Sequence, residues 1–513
     1  MKRILSTGLA VVIALSTVLA GCGKPDAAAD SNAGAGAAKG GEKVLTIARS
    51  SDIIGFDVHN HGFTSTESVH VNMFNYLVKK SADGKFMPDL ALSWETVNPT
   101  TWRFKLRDNV KFHNGDPFTA ADVKYSLERV AKDPKLVENG NYKQIKEVKV
   151  VDDHTVDVIT TDTEPVLLSR LSRLGSSMLP SKYIQEKGFD EFLKNPIGTG
   201  PYKFSQWVRD DRVVLVKSDG YWGDKPKWDK LVFRSIPEEA TRVSELLTGG
   251  VDIAVQIPPT DMKRVNDNKA TQSMTGPTTR VMMLALRTTA GPTADAKVRE
   301  AIDLAIDKKA LIDNLFEGEG TQTMTPIIPG VFGAKPDLYG KSQFDPERAK
   351  QLLKEAGYDK GLTINFMGSV GKTLKDKETS ELIAAMLGEV GIKVNLEILE
   401  TSKFNEKRNA GNYGDMFLVA YANSMFDAAL LYKRLTPDTG YNKPEVLNLL
   451  NTAEKNMNPQ EREKQFQQVQ DILAKDHPQI NLMQLVANYG VNKRLNFTPR
   501  IDEITYADEI TLK

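Results

Sequence analysis

Thiol chemistry is nearly absent from this chain: Cys22 is the single cysteine in 513 residues. That excludes an internal disulfide framework, a CxxC redox pair, a cysteine-built zinc site and a cysteine nucleophile anywhere after residue 22. An excess of either charge is missing too, with 67 basic and 67 acidic residues. Removing residues 1–21 takes away only Lys2 and Arg3 and leaves a net charge of about −2. No basic stripe appears anywhere, which argues against nucleic acid as a partner. After residue 21 no apolar run approaches the length needed to cross a membrane. Catalytic signatures are also lacking. There is no HExxH, and Gly368-Ser-Val-Gly371-Lys372-Thr373 fails as a phosphate loop because Phe366 stands where glycine is required. Ser, His and Asp residues occur, but nothing in the sequence places them together. The absences point away from an enzyme.

What is present begins at the N-terminus. Lys2 and Arg3 precede a mostly apolar stretch from Ile4 to Leu19, the layout of a secretory signal rather than a spanning helix. The stretch ends in Leu19-Ala20-Gly21-Cys22, which resembles the lipobox of bacterial lipoproteins. Cleavage would leave Cys22 as a lipidated first residue after a signal peptide of residues 1–21. Two or more acyl chains on one residue hold a protein stably to a membrane. Residues 22–43 then form a tether. After Cys22 it is almost all Ala, Gly, Ser, Asn, Asp and Lys, which cannot bury enough apolar surface to offset its ordering entropy. Regular patterning starts at Val44, and the remaining length predicts two or three domains.

Both strand and helix periods follow. Trp102, Phe104 and Leu106 alternate with charged residues as a half-buried strand does. Val148–Val151 and Val156–Ile159 flank Asp152-Asp153-His154, a predicted hairpin. Thr119 and Asp122 form a capping box ahead of Val123, Leu127 and Val130 on one helical face. The first part therefore has α+β character. Further on, Val298, Ala301, Ile302, Ala305 and Ile306 make a core-facing stripe, and Asp307 caps a second helix carrying Leu311, Ile312, Leu315 and Phe316. Asp345-Pro346 opens another helix that Gly357 closes. A strand at 362–366, a helix at 380–390 and a strand through Ile392, Val394, Leu396 and Ile398 predict a parallel crossover, so the second part is α/β.

Five segments, in order, resemble the peptide-, nickel- and opine-binding proteins of ABC importers, solute-binding family five (cluster C). They are VKFHNGDPFTAADVKYSLERV (110–130), NPIGTGPYKFSQW (195–207), GYWGDKPKWDKLVFRSIPEEATRVSELLTGGVDIA (220–254), KVREAIDLAIDKKALIDNLFEGEG (297–320) and FDPERAKQLLKEAGY (344–358, beginning at Phe344). The resemblance spans roughly residues 44–490. It implies an α/β fold of the type II periplasmic-binding-protein kind, with two lobes, mixed sheets, a hinge and an inserted α+β subdomain. The first lobe would hold 44–85, 200–285 and 491–513, the insertion 86–199, and the second lobe 286–490, with the hinge near Leu286 and Asn488.

The same resemblance implies a monomeric, extracytoplasmic carrier anchored to the outer face of the cell membrane or on the periplasmic side. It would capture a solute by lobe closure and hand it to an ABC permease driven by separate ATPase subunits, with no cofactor of its own. The solute it implies is a peptide or peptide-like compound; an oligosaccharide, an opine-like conjugate or a chelated metal stays open, as does a tethered enzyme or chaperone. Ligand residues carry over at matching positions only. These are the loop 51–56 with Ile54, Gly55 and Phe56, the nearby Lys372, and the stretch 420–427 with Tyr421, Asn423, Ser424, Phe426 and Asp427. Ser424 stands where peptide-binding members carry a carboxylate for the peptide amine, which makes Asp427 the expected acidic group. His59 and His61, with His70 nearby, could share an ion, since imidazoles two residues apart can do so. The position suits an ordinary polar residue better, and no metal is assigned. The five tryptophans, Trp94, Trp102, Trp207, Trp222 and Trp228, are read as packing residues.

Overall fold

The computed structural model describes residues 41–82 and 84–513. The expected signal peptide, Cys22 and all but the end of the expected tether lie outside the described residues.

Local patterning becomes structure where the periods are clear. Thr101–Leu106 is a strand whose Trp102, Phe104 and Leu106 are buried. Ile145–Asp152 and Thr155–Thr160 pair antiparallel as the hairpin. Helix Ala120–Lys132 starts with the full capping box, the Thr119 N–H donating to Asp122 Oδ2 at 2.8 Å. These elements, with strand Ala91–Asn98, form a four-stranded antiparallel sheet packed on the helix over its own apolar core. Asp345 accepts from the Arg348 N–H at the start of helix Pro346–Glu355, and Asp307 accepts from the Ala310 N–H at the next helix up the chain. Leu362–Val370, helix Asp376–Glu389 and Ile392–Glu400 make the parallel crossover. That helix starts four residues earlier than the pattern predicts, because the Asp376 carboxylate accepts backbone N–H groups from Gly371, Lys372 and Thr373 and fixes the preceding loop.

One eleven-stranded sheet runs through both lobes. Ile392–Glu400, Leu362–Val370 and Met416–Ala422 lie at one end, and Ile253–Val255, Val44–Arg49, Lys230–Ser235, Arg212–Lys217 and Tyr202–Val208 at the other. Two long neighbours, Thr271–Leu286 and Gln479–Asn492, join the ends, and the eleventh strand, Thr321–Gln322, pairs with the latter. Their ladder has two stretches, residues 271–277 against 486–492 and 281–285 against 479–484, with a break between Pro277 and Val281. Pro277 has no N–H for the ladder. Side chains bridge the gap: Thr278 donates to the Leu485 carbonyl at 2.8 Å and Gln484 to the Thr278 carbonyl at 2.6 Å. The second lobe buries both faces of its half-sheet, one under helices Ala296–Ala305, Pro346–Glu355 and Asp376–Glu389, the other under Ala428–Thr439 and Pro459–Asp476. The first lobe has a separate core that includes Phe56, Trp228 and the returning Tyr489 and Val491.

The Gly198-Thr-Gly200 motif shows why small residues are needed where the chain re-enters the first lobe. The Gly200 N–H donates to the Met73 carbonyl at 2.8 Å. A Cβ on Gly198 would stand 2.0 Å from that same oxygen, well inside contact distance.

Candidate functional site

The lobes meet around a set of cations. Lys80 ends the strand Val78–Lys80, whose alternation turns Val78 and Lys80 inward. Its side chain is buried, and no acceptor among the described residues hydrogen-bonds its ammonium. It lies 4.5 Å from the centre of the Phe426 ring and 5.8 Å from that of Phe86. Burial, with repulsion from Arg173, pulls the Lys80 pKa down to about 7 against the attraction of Asp502 and Asp427. Arg173, from the inserted subdomain, is buried and held by Glu138 at 2.5 Å. Arg434, on the second-lobe helix Ala428–Thr439, is solvent-exposed and forms no ion pair among the described residues. Crowding by the surrounding protein, then repulsion from Arg173 and Arg408, holds its guanidinium below its usual range despite Tyr421.

A cavity of about 80 Å³ opens beside the broken ladder, lined by Arg49, Ser65, Arg280, Tyr489, Glu503 and Thr505 among others. Arg280 and Glu503 pair across it at 2.8 Å. The C-terminal segment closes this floor. Arg500 is buried, pairs with Asp502 and Glu509, and donates to the Lys80 carbonyl at 3.1 Å.

The residues expected from sequence separate into lining and scaffold. Ile54 is 57% exposed, and the Gly55 carbonyl accepts from His70 at 2.9 Å. Phe56 is packed into the first-lobe core against Phe204 and Trp207 and presents no wall to a solute. Phe426 adopts a left-handed backbone (φ 55°), which swings its ring against Lys80 and Gly84, from the other lobe. Asn423 is buried and ties the turn together, donating to the Asp427 carbonyl at 2.9 Å; Ser424 is partly exposed. Tyr421 donates to Asp438, whose carboxylate also holds Arg408 at 2.8 Å. Lys372 donates to Asn405 at 2.8 Å and sits over the Phe404 ring, its pKa lowered by burial and by Arg408. Asp427 is already neutralised: Arg462 grips both its oxygens at 2.5 and 2.8 Å, both side chains are buried, and Asp427 caps helix Ala428–Thr439 through the Ala429 N–H.

The histidines also regroup. His59 turns to Arg129, 2.7 Å away, and does not face His61. His61 instead meets His70 and Glu67. Lys80, Arg173, Arg434 and Glu67 were not singled out by sequence. Lys79 and Lys80 are neighbours of one type, and only the pleat of a three-residue strand decides which is buried.

A two-lobed fold on one shared sheet, with polar groups converging where the lobes meet, defines a solute-binding protein of the periplasmic type. The family of bacterial extracellular solute-binding proteins, family 5, matches residues 85–443 through its middle region. The chain belongs to this family, the substrate-binding proteins of ABC importers, which work outside the cytoplasm. The dipeptide-binding protein of Escherichia coli K12 is 31% identical over 377 residues, 68% of this chain and 70% of the relative. The nickel-binding periplasmic protein of the same organism is 30% identical over 383 residues, 70% and 72% of the two chains. NikA of Brucella suis, solved with Fe(III)-EDTA, superposes with a TM-score of 0.83 over 92% of this chain and all of its own, at 23% identity, a likeness of fold. No helix among the described residues is long and apolar enough to cross a membrane.

Proposed function

We propose that this chain is a lipid-anchored, monomeric carrier, not an enzyme, that closes over a peptide or peptide-like solute and delivers it to an ABC permease. The carrying observation is Lys80: a buried side chain whose ammonium has no acceptor among the described residues, within electrostatic reach of Arg173, which in turn acts on Arg434, suits the carboxylate end of a solute. Leaving that charge unpaired costs several kcal/mol, so an anion that bridges Lys80 to the second lobe stabilises the closed form. Ile54, Gly55, Tyr421, Ser424 and Phe426 would line the cleft, with Asn423 holding the turn. The break at 277–281 beside 485 would be the pivot, a little nearer the chain's first lobe than Leu286. The dipeptide-binding relative supports a peptide.

A second reading, an anionic non-peptide solute such as an opine-like conjugate, is favoured by one fact. Asp427 is occupied by Arg462, so a free amine has no ready carboxylate in that turn. Calorimetry with free, N-acetylated and C-amidated peptides separates the two. Under the first reading, amidation weakens binding at least tenfold and Lys80→Met removes the difference. Under the second, no peptide binds and native mass spectrometry finds an anionic compound in the cleft. Tight binding indifferent to both Lys80 and amidation would remove the proposal.

A further inference from the structure

Helix Thr64–His70 carries Glu67 and His70 one turn apart, and His61 precedes the helix in the loop below it. At i and i+3 the two helical side chains share a face. His61 Nε2 lies 3.1 Å from His70 Nδ1 and 3.5 Å from Glu67 Oε2, and His70 Nδ1 lies 4.0 Å from that oxygen. A triangle with these sides has its centre about 2.1 Å from each corner. Zinc–imidazole and zinc–carboxylate bonds are about 2.0–2.2 Å. All three side chains are at most 2% exposed.

The surroundings already orient them. The Gly55 oxygen can only accept, so His70 Nε2 carries the proton it donates at 2.9 Å, and Nδ1 presents a lone pair to the centre. Tyr76 donates its hydroxyl to Glu67 Oε1, which leaves Oε2 facing the triangle; that buried oxygen has no hydrogen-bond partner among the described residues. Phe56 and Phe74 pack against the His70 ring and wall the site with apolar surface. Without an ion, His61 Nε2–H must fill the gap to His70 Nδ1. For the imidazole to become a ligand, this proton leaves or moves to Nδ1, where only a long 3.5 Å contact from the Phe63 N–H has to give way.

We infer that His61, Glu67 and His70 form a three-ligand site for one divalent transition ion of the zinc, cobalt or nickel type, built into the first lobe. Two imidazoles and a carboxylate with an open fourth position suit these borderline ions, and calcium and magnesium, which favour all-oxygen shells, poorly. The ion would pin the loop before the helix to the helix itself, a few residues from Gly55. The site is separate from the solute proposal and stands or falls without it.

The test is cobalt titration of the untagged full chain in detergent after dialysis against a chelator. One equivalent should bind with the intense visible bands of a low-coordinate ion, and zinc should displace it. Glu67→Gln and His70→Gln should each weaken binding at least tenfold. Tyr76→Phe, which frees the carboxylate without removing a ligand, should weaken it about ten- to a hundredfold while the circular dichroism is unchanged. Absence of the bands in the parent protein, which needs no variant to fold, would overturn the inference. So would binding that survives both ligand substitutions.

Discussion

Asp427→Asn separates a structural carboxylate from a solute-binding one. Asparagine can still cap helix Ala428–Thr439, so the cap costs little. The loss falls on Arg462, which is 3% exposed, donates to the Ala453 carbonyl at 2.8 Å, and lies over the Phe332 and Phe466 rings at 4.9 and 4.8 Å. It thus ties the start of one helix, the end of a second and the first turns of a third. Removing one partner of such a buried pair costs about 3–5 kcal/mol, because the other charge is left uncompensated. For a unit of about 200 residues that lowers the melting temperature by roughly 6–20 °C. Scanning calorimetry on solute-free protein reads the shift, and the paired Asp427→Leu, Arg462→Met change should recover part of it. A single substitution that moves the melt by less than about 2 °C yet abolishes solute binding would refute this reasoning and return Asp427 to the pocket.

Three further outcomes follow from the same structure. His113 donates from Nε2 to the Gly200 carbonyl and accepts the Gly198 N–H at Nδ1, and burial lowers its pKa to about 4. The unfolded chain therefore binds the extra proton between pH 6.5 and about 4, so stability falls through that window as pH drops, by up to about 3 kcal/mol. His113→Asn should flatten that part of a urea-melt pH series, and an unchanged slope would contradict it. Because Lys80 titrates near 7, an anion bound beside it should draw in up to about one proton at pH 8. Calorimetric heats that do not vary with the buffer's ionisation enthalpy would count against an anionic contact at Lys80. Finally, Cys22→Ser should release the protein from membranes on cell fractionation; equal retention would end the lipid-anchor reading.

Patterns confined to neighbours in the chain were legible in advance. The capping box at Thr119, the Asp345-Pro346 start, the hairpin at 152–154 and the parallel crossover at 362–398 all depend on periodicity and local hydrogen bonds, which a sequence carries directly. Family motifs placed these pieces in one two-lobed fold for the same reason. The functional groups were less accessible, because burial and pairing are set by residues far apart in number. Asp427 is neutralised by Arg462, thirty-five positions later. Lys80 is enclosed by Phe426, Arg173 and the Arg500 segment, and His61 faces Glu67 and His70 rather than its sequence neighbour His59. A strand's pleat decides which of two adjacent lysines is buried, and in the loop before the helix His59 and His61 are both buried but meet different partners. What then meets each is determined only when distant segments pack, since a charge taken out of water is defined by whatever replaces the water.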